Sequence, residues 1–285
     1  MSPHAYYSAR IKQLPFVVMT LCLCALAGCT LFPATPASTL FTARHPFLAP
    51  IQAAPDAVQL EVFFLERPAE DHLLANEIWK DVDQIGALPA ESRESLSDNG
   101  FRIGHVSSNP PPSVQKLLGL VAEFSTDSGN SNRPLMGRHQ FLSPGVETEI
   151  PTGVEHAHCE FLIREKERIK RLEYDQVSCQ FRMKAHRLQD GWVRVDFQPE
   201  IHYGEKMMRH TPTEEGWTLR GGQNIDVRQS QRFSVTLNVG ELALITATPE
   251  DEITLGNRFF CRDDRGTQRQ RVLLVRVVDA GKSPR

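Results

Sequence analysis

The sequence predicts an α+β fold in which a small α/β unit precedes an antiparallel β-rich domain. Between residues 57 and 123, amphipathic helical segments alternate with short strand-like segments. From about Phe141 onward, apolar residues recur instead at every second position, which is the period of half-buried strands. Gly-containing turn signals separate these later segments, as is typical of antiparallel sheets.

The first 28 residues have the features of a secretory signal peptide. Arg10 and Lys12 give a basic start, residues 15–27 are almost wholly apolar, and small residues close the run. The run is shorter than the roughly 20 residues of a membrane span. Its end, Leu26-Ala27-Gly28-Cys29, resembles the lipobox of bacterial lipoproteins, in which the Cys is lipidated and becomes the first residue after cleavage.

This resemblance implies that acyl chains of the palmitate type on Cys29 hold the mature protein on the lipid bilayer. Each buried methylene contributes ~0.8 kcal/mol, so several chains give a stable anchor. Thr30, and not Asp, follows the Cys, which is similar to outer-membrane sorting in double-membrane bacteria. An ordinary cleaved signal and an uncleaved anchor are the alternatives. Residues 29–56 are rich in Pro and predict a semi-extended tether.

The small α/β unit is predicted over residues 57–123. Apolar residues alternate from Val58 and predict a strand that Pro68 ends. Leu74, Ile78 and Val82 then recur every four residues, which predicts an amphipathic helix over about 70–83.

A second helix and a second strand complete this unit. Pro89 lies near the first position of the helix, and Asn99-Gly100 predicts its end. Residues 101–106 predict the next strand, and Ser113 is expected to cap a short helix that runs to Leu120.

The β-rich domain is predicted over residues 139–279, after a polar flexible loop at 124–138, and a tail of residues 280–285 follows it. Asp190-Gly191 and Gly240-Glu241 predict turns between strands. Residues 272–278 are apolar on both faces, which predicts a strand in the middle of a sheet.

The composition is that of a globular protein, with 40% hydrophobic and 24% charged residues. Cleavage after residue 28 removes Arg10 and Lys12 from the 32 basic residues and none of the 35 acidic ones, so the mature net charge is −5. This mildly acidic balance argues against nucleic acid as a partner.

Three of the six Cys residues, Cys159, Cys179 and Cys261, lie in the predicted folded body. An exported location permits a disulfide. If the polar segment 165–171 is the tip of a hairpin, symmetric pairing about position 169 places Cys159 opposite Cys179 on the apolar face. Directly opposed Cβ atoms lie about 4.5–5.5 Å apart, so a bridge is feasible. Two buried free thiols are the alternative interpretation.

Metal and catalytic patterns are weak in this sequence. His156, His158 and Glu160 share one face of a predicted strand and suit zinc, but no second group of ligands has a suggestive spacing. We therefore predict no metal and no cofactor. No nucleophile elbow, phosphate loop or dinucleotide turn is present, so the sequence assigns no catalytic residue and predicts a protein that is not an enzyme.

Residues 187–278 resemble the homology domain of bacterial secretins, the outer-membrane channels of secretion and pilus systems. The similarity runs through Trp192-Val193-Arg194-Val195-Asp196-Phe197-Gln198-Pro199-Glu200-Ile201, residues 233–246, Leu255-Gly256-Asn257-Arg258-Phe259-Phe260 and the strand at 272–278. Where secretins have Gly-Gly-Leu after the position of Ile245, this chain has Thr246-Ala247-Thr248. The resemblance implies the fold of the sheet and self-association as a homo-oligomer, and does not extend to a pore.

Together these patterns predict a lipoprotein of the cell envelope, anchored in the outer membrane and facing the periplasm or the cell surface. Its expected role is that of a scaffold or accessory protein that contacts other envelope proteins in envelope assembly or export. A secretin-like ring component and an enzyme acting on an envelope polymer are the alternatives.

Overall fold

The folded part of the chain is built from two antiparallel sheets and a few short helices. The computed structural model describes residues 57–120, 138–143, 145–165, 168–189, 191–213, 216–248 and 253–280, with the backbone alone at 138–141 and 209–220. Within these ranges every strand pair is antiparallel. The predicted α+β class, dominated by antiparallel strands, is confirmed.

The first sheet, which we call sheet A, has the strand order β2-β9-β11-β1-β3, and β10 pairs with β11 outside this path. Its strands are β1 (Val58–Pro68), β2 (Phe101–Val106), β3 (Arg138–Leu142), β9 (Leu242–Ala247), β10 (Cys261–Asp264) and β11 (Thr267–Asp279). Strand β11 lies in the middle and is buried on both faces, as its two-sided apolar pattern predicts.

The second sheet, sheet B, follows the chain as a meander in the order β4-β5-β6-β7, and β8 pairs with β6. Its strands are β4 (Glu147–Glu165), β5 (Arg168–Gln189), β6 (Trp192–Thr213), β7 (Gly216–Val227) and β8 (Phe233–Asn238). Strands β5 and β6 have 22 residues each, well beyond the usual strand length of roughly 3–10 residues. The predicted turns at Gly191 and Gly240 are present, and both residues have a positive φ.

In the described residues, four short helices and one 3₁₀ turn, Gln229–Gln231, accompany the sheets. Helix α1 begins as a π-helix over Leu73–Glu77 and continues as an α-helix over Ile78–Asp81; α2 covers Ala90–Asp98, α3 Pro112–Leu117 and α4 Leu255–Phe260. None of the helices in the described ranges is both long and apolar enough to cross a bilayer. The capping role predicted for Ser113 is wrong, because Pro111 is the N-cap and the Ser113 hydroxyl donates to Asp81 Oδ2 instead, at 2.6 Å. The helix also ends earlier than predicted, at Leu117 and not at Leu120.

Two hydrophobic clusters divide the molecule into three layers. One cluster lies between the facing sheets, where alternate residues of sheet A such as Leu60, Ile245 and Val275 meet Phe181 and Phe197 of sheet B. The other cluster covers the opposite face of sheet A with helices α1 and α3. Sheet A is thus the middle layer, and sheet B exposes its outer face.

The predicted boundary between a unit at 57–123 and a domain at 139–279 is wrong. Strands β1 and β2 from the first segment pair with β11 and β9 from the second. The described residues accordingly belong to one compact unit, Ala53–Arg285. Apolar periodicity identifies strands but carries no information on distant partners, so the boundary could not be placed from the sequence.

A buried asparagine holds the β4–β5 hairpin against the start of β2. Asn99 is inaccessible to solvent, and its Nδ2 donates to the carbonyls of Ser95 at 2.9 Å and Arg164 at 2.8 Å. The backbone N–H of Arg164 donates in turn to Asn99 Oδ1 at 2.9 Å. One side chain therefore satisfies both backbone groups of a residue at the end of β4.

Substitution Asn99→Ala should lower the free energy of unfolding by about 2–4 kcal/mol, because it leaves both backbone groups of Arg164 without a partner. Denaturant unfolding of the full chain measures this loss. The same change at Asn109, which is exposed, should stay within about 0.5 kcal/mol of wild type. An equally small effect at position 99 would contradict the proposed role of this side chain.

Candidate functional site

The predicted lipidation site, Cys29, lies outside the described residues. The signal peptide at 1–28, the tether at 29–56 and most of the loop at 124–138 lie outside them as well. The anchor is therefore a prediction from the sequence.

The predicted pairing of Cys159 with Cys179 is wrong. Glu165 pairs with Arg168 at the end of the β4–β5 hairpin, and this register places Cys159 opposite Tyr174. Cys179 lies five positions further along β5, opposite Ile201 of β6. Between them, Gln176 has a φ of 52° at an irregular step of the strand, and such a step reverses which alternate residues face the core. Both side chains still point into the core. They are buried free thiols and do not form a disulfide.

Burial also determines the chemistry of these thiols. It raises the pKa of Cys159 to about 11 and that of Cys179 well above its ordinary value. Both groups are therefore protonated at neutral pH, and a protonated thiol is a poor nucleophile. Because the folded-state pKa values are raised, the stability that these thiols contribute is present below pH 9 and is lost as the pH rises through the folded values.

The histidines of β4 make separate contacts and not a metal centre. His156 Nε2 lies 3.0 Å from the carbonyl oxygen of Arg258, and His158 Nδ1 lies 2.8 Å from Asp175. Glu160 pairs with Arg171 at 2.7 Å. Among the described residues, no three His, Cys, Asp or Glu side chains come close enough to hold a metal ion.

The outer face of sheet B carries a polar network around two buried carboxylates, Glu200 and Asp196. Glu200 is inaccessible to solvent, and its two oxygens lie 2.6 Å from Arg182 Nη2 and 3.1 Å from His202 Nε2. Burial alone would raise the pKa of Glu200, but the hydrogen bond with His202 and the charge of Arg182 hold it below its ordinary value. Gln180 completes the group, 2.7 Å from His202.

Asp196 lies four residues before Glu200 on the same strand and face. Ser234 and Arg232 donate to its carboxylate at 2.7 and 2.9 Å, and Arg194 and His186 lie within 3.4 Å. Burial opposes the charged form, but these partners hold the pKa of Asp196 below its ordinary value. The network therefore links β5, β6 and β8 across the face by ion pairs.

A pocket of about 310 Å³ opens beside this network. Ser178 lies directly opposite His202 in the β5–β6 register, and both line the pocket. The Ser178 hydroxyl, however, donates to Gln223 Oε1 at 3.2 Å, and the His202 ring contacts Glu200 and Gln180. A nucleophile and its base need a hydrogen bond of about 2.6–3.2 Å between them, so this geometry does not favour covalent catalysis.

Sheet B forks beyond this pocket. Gln223 bridges the two hairpins by donating to the carbonyls of Gln176 and Gly204, at 2.6 and 2.8 Å, and the rings of Tyr174 and Tyr203 stack at 4.1 Å. Past the fork, β6 and β7 pair only with each other as far as residues 213 and 216.

The two outer strands of sheet B differ in their edges. On β4, Arg271 donates to the carbonyl of Thr152, Arg258 donates to that of Glu160, and the Leu162 N–H donates to Ile253. Strand β7 pairs only with β6 within the described residues, so its other edge has no strand beside it.

Exposed apolar side chains lie near that edge, Ile225 on β7 itself and Met207 and Met208 on β6, opposite Gly222 and Gly221. Met207, Met208 and Ile225 are 49%, 64% and 46% exposed. We call the unpaired edge of residues 216–227, together with these three side chains, the β7 edge. Natural sheets usually protect such an edge, as β4 is protected here, so an edge with no strand beside it in the described residues is a candidate contact surface.

Sequence reasoning identified some of these features and missed others. The sequence of β5 alternates Cys179, Phe181 and Met183 with Gln180 and Arg182, which indicates the polar face on which the last two lie, but nothing in the local sequence signals that Glu200 is buried. The β7 edge was missed because edge status depends on the pairing of the whole sheet. Comparison of the chain with protein-family models, curated proteins and solved structures finds no match.

The free state of Cys159 and Cys179 can be tested in a Cys261→Ser variant. In this variant they are the only thiols left in the described body. Alkylation with iodoacetamide should leave both unmodified in the folded protein and modify both after denaturation without a reductant. Intact-mass spectrometry counts the added groups. If the two residues became alkylated only after reduction, they would be bridged and the free-thiol structure would be wrong.

Substitution Glu200→Gln should lower the free energy of unfolding at pH 7 by about 2–3 kcal/mol, because it removes the charge that Arg182 and His202 share. Since the pKa of Glu200 is lowered from 4.5, the loss should be full above pH 5 and should shrink as the pH falls through the folded value. Denaturant unfolding across pH measures it.

Glu147→Gln is the matched control, since Glu147 also contacts Arg182 but is 51% exposed. Its effect should stay within about 0.5 kcal/mol. Equal losses for the two variants, or a loss at position 200 that does not change with pH, would contradict the role assigned to the buried carboxylate.

Proposed function

We propose that this protein is a lipid-anchored envelope lipoprotein that acts by contact with other envelope proteins, as a scaffold or accessory factor in envelope assembly or export. The lipobox-like Leu26-Ala27-Gly28-Cys29 supports the anchor, and Thr30 supports the outer membrane. The observation that carries the contact role is the β7 edge, because a long strand with one unpaired edge and exposed apolar side chains nearby offers backbone hydrogen bonds and apolar area to a partner chain.

The polar groups of sheet B support the same role. Glu200 and Asp196 are neutralised by partners on neighbouring strands. Such groups stiffen the sheet, so that it holds the β7 edge in a fixed shape. A pre-formed surface of this kind loses little conformational entropy on binding.

The contact role is tested by placing a photo-crosslinking residue at Ile225 of the full-length protein in cells. Irradiation should give a discrete adduct with another envelope protein. The same residue at Ile169, which is exposed on the β4–β5 hairpin, is the matched control and should give little adduct. Adducts of equal yield at the two positions, or none at Ile225, would contradict the assignment of the β7 edge.

A secretin-like ring component is the second candidate. It is favoured by the resemblance of residues 187–278 to the secretin homology domain and by the 22-residue strands of a four-strand meander. An even number of antiparallel strands leaves β4 and β7 running in opposite directions, so neighbouring copies could continue the sheet if the capping groups on β4 moved away. A ring predicts a large assembly in detergent, whereas a monomer by light scattering would exclude it.

A further inference from the structure

The chain enters the folded body at one end of sheet A. Val58, the first residue of β1, pairs with Leu142 of β3, and Leu60 pairs with Val277 near the end of β11. The Gly240 N–H donates to the Val277 carbonyl at 2.8 Å, so the β8–β9 connection lies beside the same pair. We call this end of the body, with Val58 and the connections β3–β4, β5–β6 and β8–β9, the entry end.

The three connections of the entry end lie against one another. The Val239 N–H donates to the Gly191 carbonyl at 3.0 Å, so the β8–β9 connection touches the β5–β6 hairpin. The Gly145 N–H donates to the Ala185 carbonyl at 3.1 Å, so the β3–β4 connection lies against β5 just before the same hairpin. The connections therefore form one continuous surface beside the residue at which the body begins.

Each connection carries one exposed aliphatic side chain at or beside its turn. Val146, Leu188 and Val239 are 51%, 52% and 42% exposed. Apolar side chains that are exposed singly are ordinary, but a group of them on adjoining connections marks a contact surface. Side chains at turns can enter the boundary region of a fluid bilayer, which needs no cavity of matching shape.

The charged groups of the entry end do not attract anionic lipid. Glu147, next to Val146, lies 3.9 Å from Lys184, and Glu241, two residues after Val239, lies 2.9 Å from His105. Asp190 follows Leu188 by two positions in the sequence. An acidic residue thus accompanies each exposed aliphatic one. Since these carboxylates must stay hydrated, the aliphatic side chains can reach only the level of the headgroups, and zwitterionic lipid suits them better than anionic lipid.

The length of the tether favours the entry end over the opposite end of the body. A chain as long as residues 30–56 spans about 30 Å as a flexible coil and roughly 80 Å at the extension of a Pro-rich segment. Leu188 and Ile169 lie near opposite ends of β5, ~60 Å apart at the rise of a strand. The entry end therefore reaches the bilayer on a slack tether, whereas the opposite end reaches it only when the tether is almost fully extended.

We propose that the entry end rests on the bilayer that holds the anchor, with Val146, Leu188 and Val239 at the boundary between the headgroups and the acyl chains of zwitterionic lipid. This inference rests on the lipid anchor of the proposed function and adds the surface through which the body meets the membrane. A weak contact is sufficient, because the tether makes it intramolecular.

This contact would also orient the β7 edge. Strand β6 begins beside the entry end at Trp192 and runs to Thr213, which pairs with Gly216 at the start of β7. The β6–β7 hairpin therefore lies at the end of β6 that is remote from the entry end. A body that rests on its entry end presents this hairpin away from the bilayer, where other envelope proteins can reach it.

The test uses the acylated full-length protein with Cys261→Ser, reconstituted into phosphatidylcholine vesicles that contain a lipid spin-labelled near the top of its acyl chain. An environment-sensitive fluorophore is attached to Leu188→Cys or, as the matched control, to Ile169→Cys, which is also an exposed aliphatic position of β5. Spin-labelled lipid should quench the label at position 188 about threefold more than the label at position 169, because only the first lies at the headgroup boundary.

Equal quenching at the two positions, or no quenching at position 188 in protein that floats with the vesicles, would overturn the proposal. Replacement of half of the phosphatidylcholine by phosphatidylglycerol should not increase the quenching, and an increase would overturn the assignment to zwitterionic lipid. Blue-shifted emission from position 188 in a Cys29→Ser variant without vesicles would also overturn the proposal, because it assigns the surface to a segment of this chain.

A second pair of variants tests the aliphatic side chains themselves, with the label at Val239→Cys. Leu188→Asp should lower the quenching of this label by about half or more, because it adds a charge at the headgroup boundary, whereas Ile169→Asp should leave it unchanged. Equal effects of the two variants would contradict the proposal. Both positions are exposed, so the unfolding transition should stay that of the parent protein.

The vesicle experiment separates this inference from the proposed function. A protein that floats with the vesicles but shows no quenching at position 188 loses the membrane contact alone, and the anchor and the β7 edge remain. A protein that does not float with the vesicles has no lipid anchor, and the membrane contact falls with it.

Discussion

The pairing of β1 with β11 is the interaction on which the rest of the structure depends. It joins the first strand of the folded body to the last over a register from Gln59 with Asp279 to Pro68 with Arg269. The apolar residues of β11 are buried against sheet B on one face and against α1 and α3 on the other. Sheet A forms only when the first and the last strands of the body are both present. The strands of sheet B, β4–β8, lie in the sequence between strands β1–β3 and β9–β11 of sheet A. This long-range pairing makes the body one folding unit of high contact order.

The sequence could predict the elements of this fold better than their partners. Two-sided apolar character placed residues 272–278 in the middle of a sheet, and Asn99-Gly100 marked the end of α2, both as observed. The register of β4 and β5 could not be predicted. The polar run suggests pairing about position 169, but Glu165 pairs with Arg168, and the strand also has an irregular step at Gln176. Helix α4 has only six residues, too few for a helical period to show.

The candidate sites are even harder to predict from the sequence than the strand partners are. Glu200 sits at a position of β6 that alternation assigns to a solvated face, yet Arg182 from β5 covers it. The β7 edge exists because no strand of the described chain follows β7 in its sheet. It is a property of the completed topology and not of a local pattern. Cys29 is the opposite case, since its proposed lipidation is inferred from four adjacent residues and from no feature of the fold.

Strand β1 begins at Val58, two residues after the end of the predicted tether at residues 29–56. All the strand pairs of the described residues join residues 58–279, so we predict a body that folds without the anchor. The most direct test is fractionation of cells that produce a Cys29→Ser variant with a cleavable export signal. We expect a protein that moves to the soluble fraction while keeping the wild-type unfolding transition. A variant that still sediments with the envelope as the wild type does would contradict a lipid anchor at Cys29.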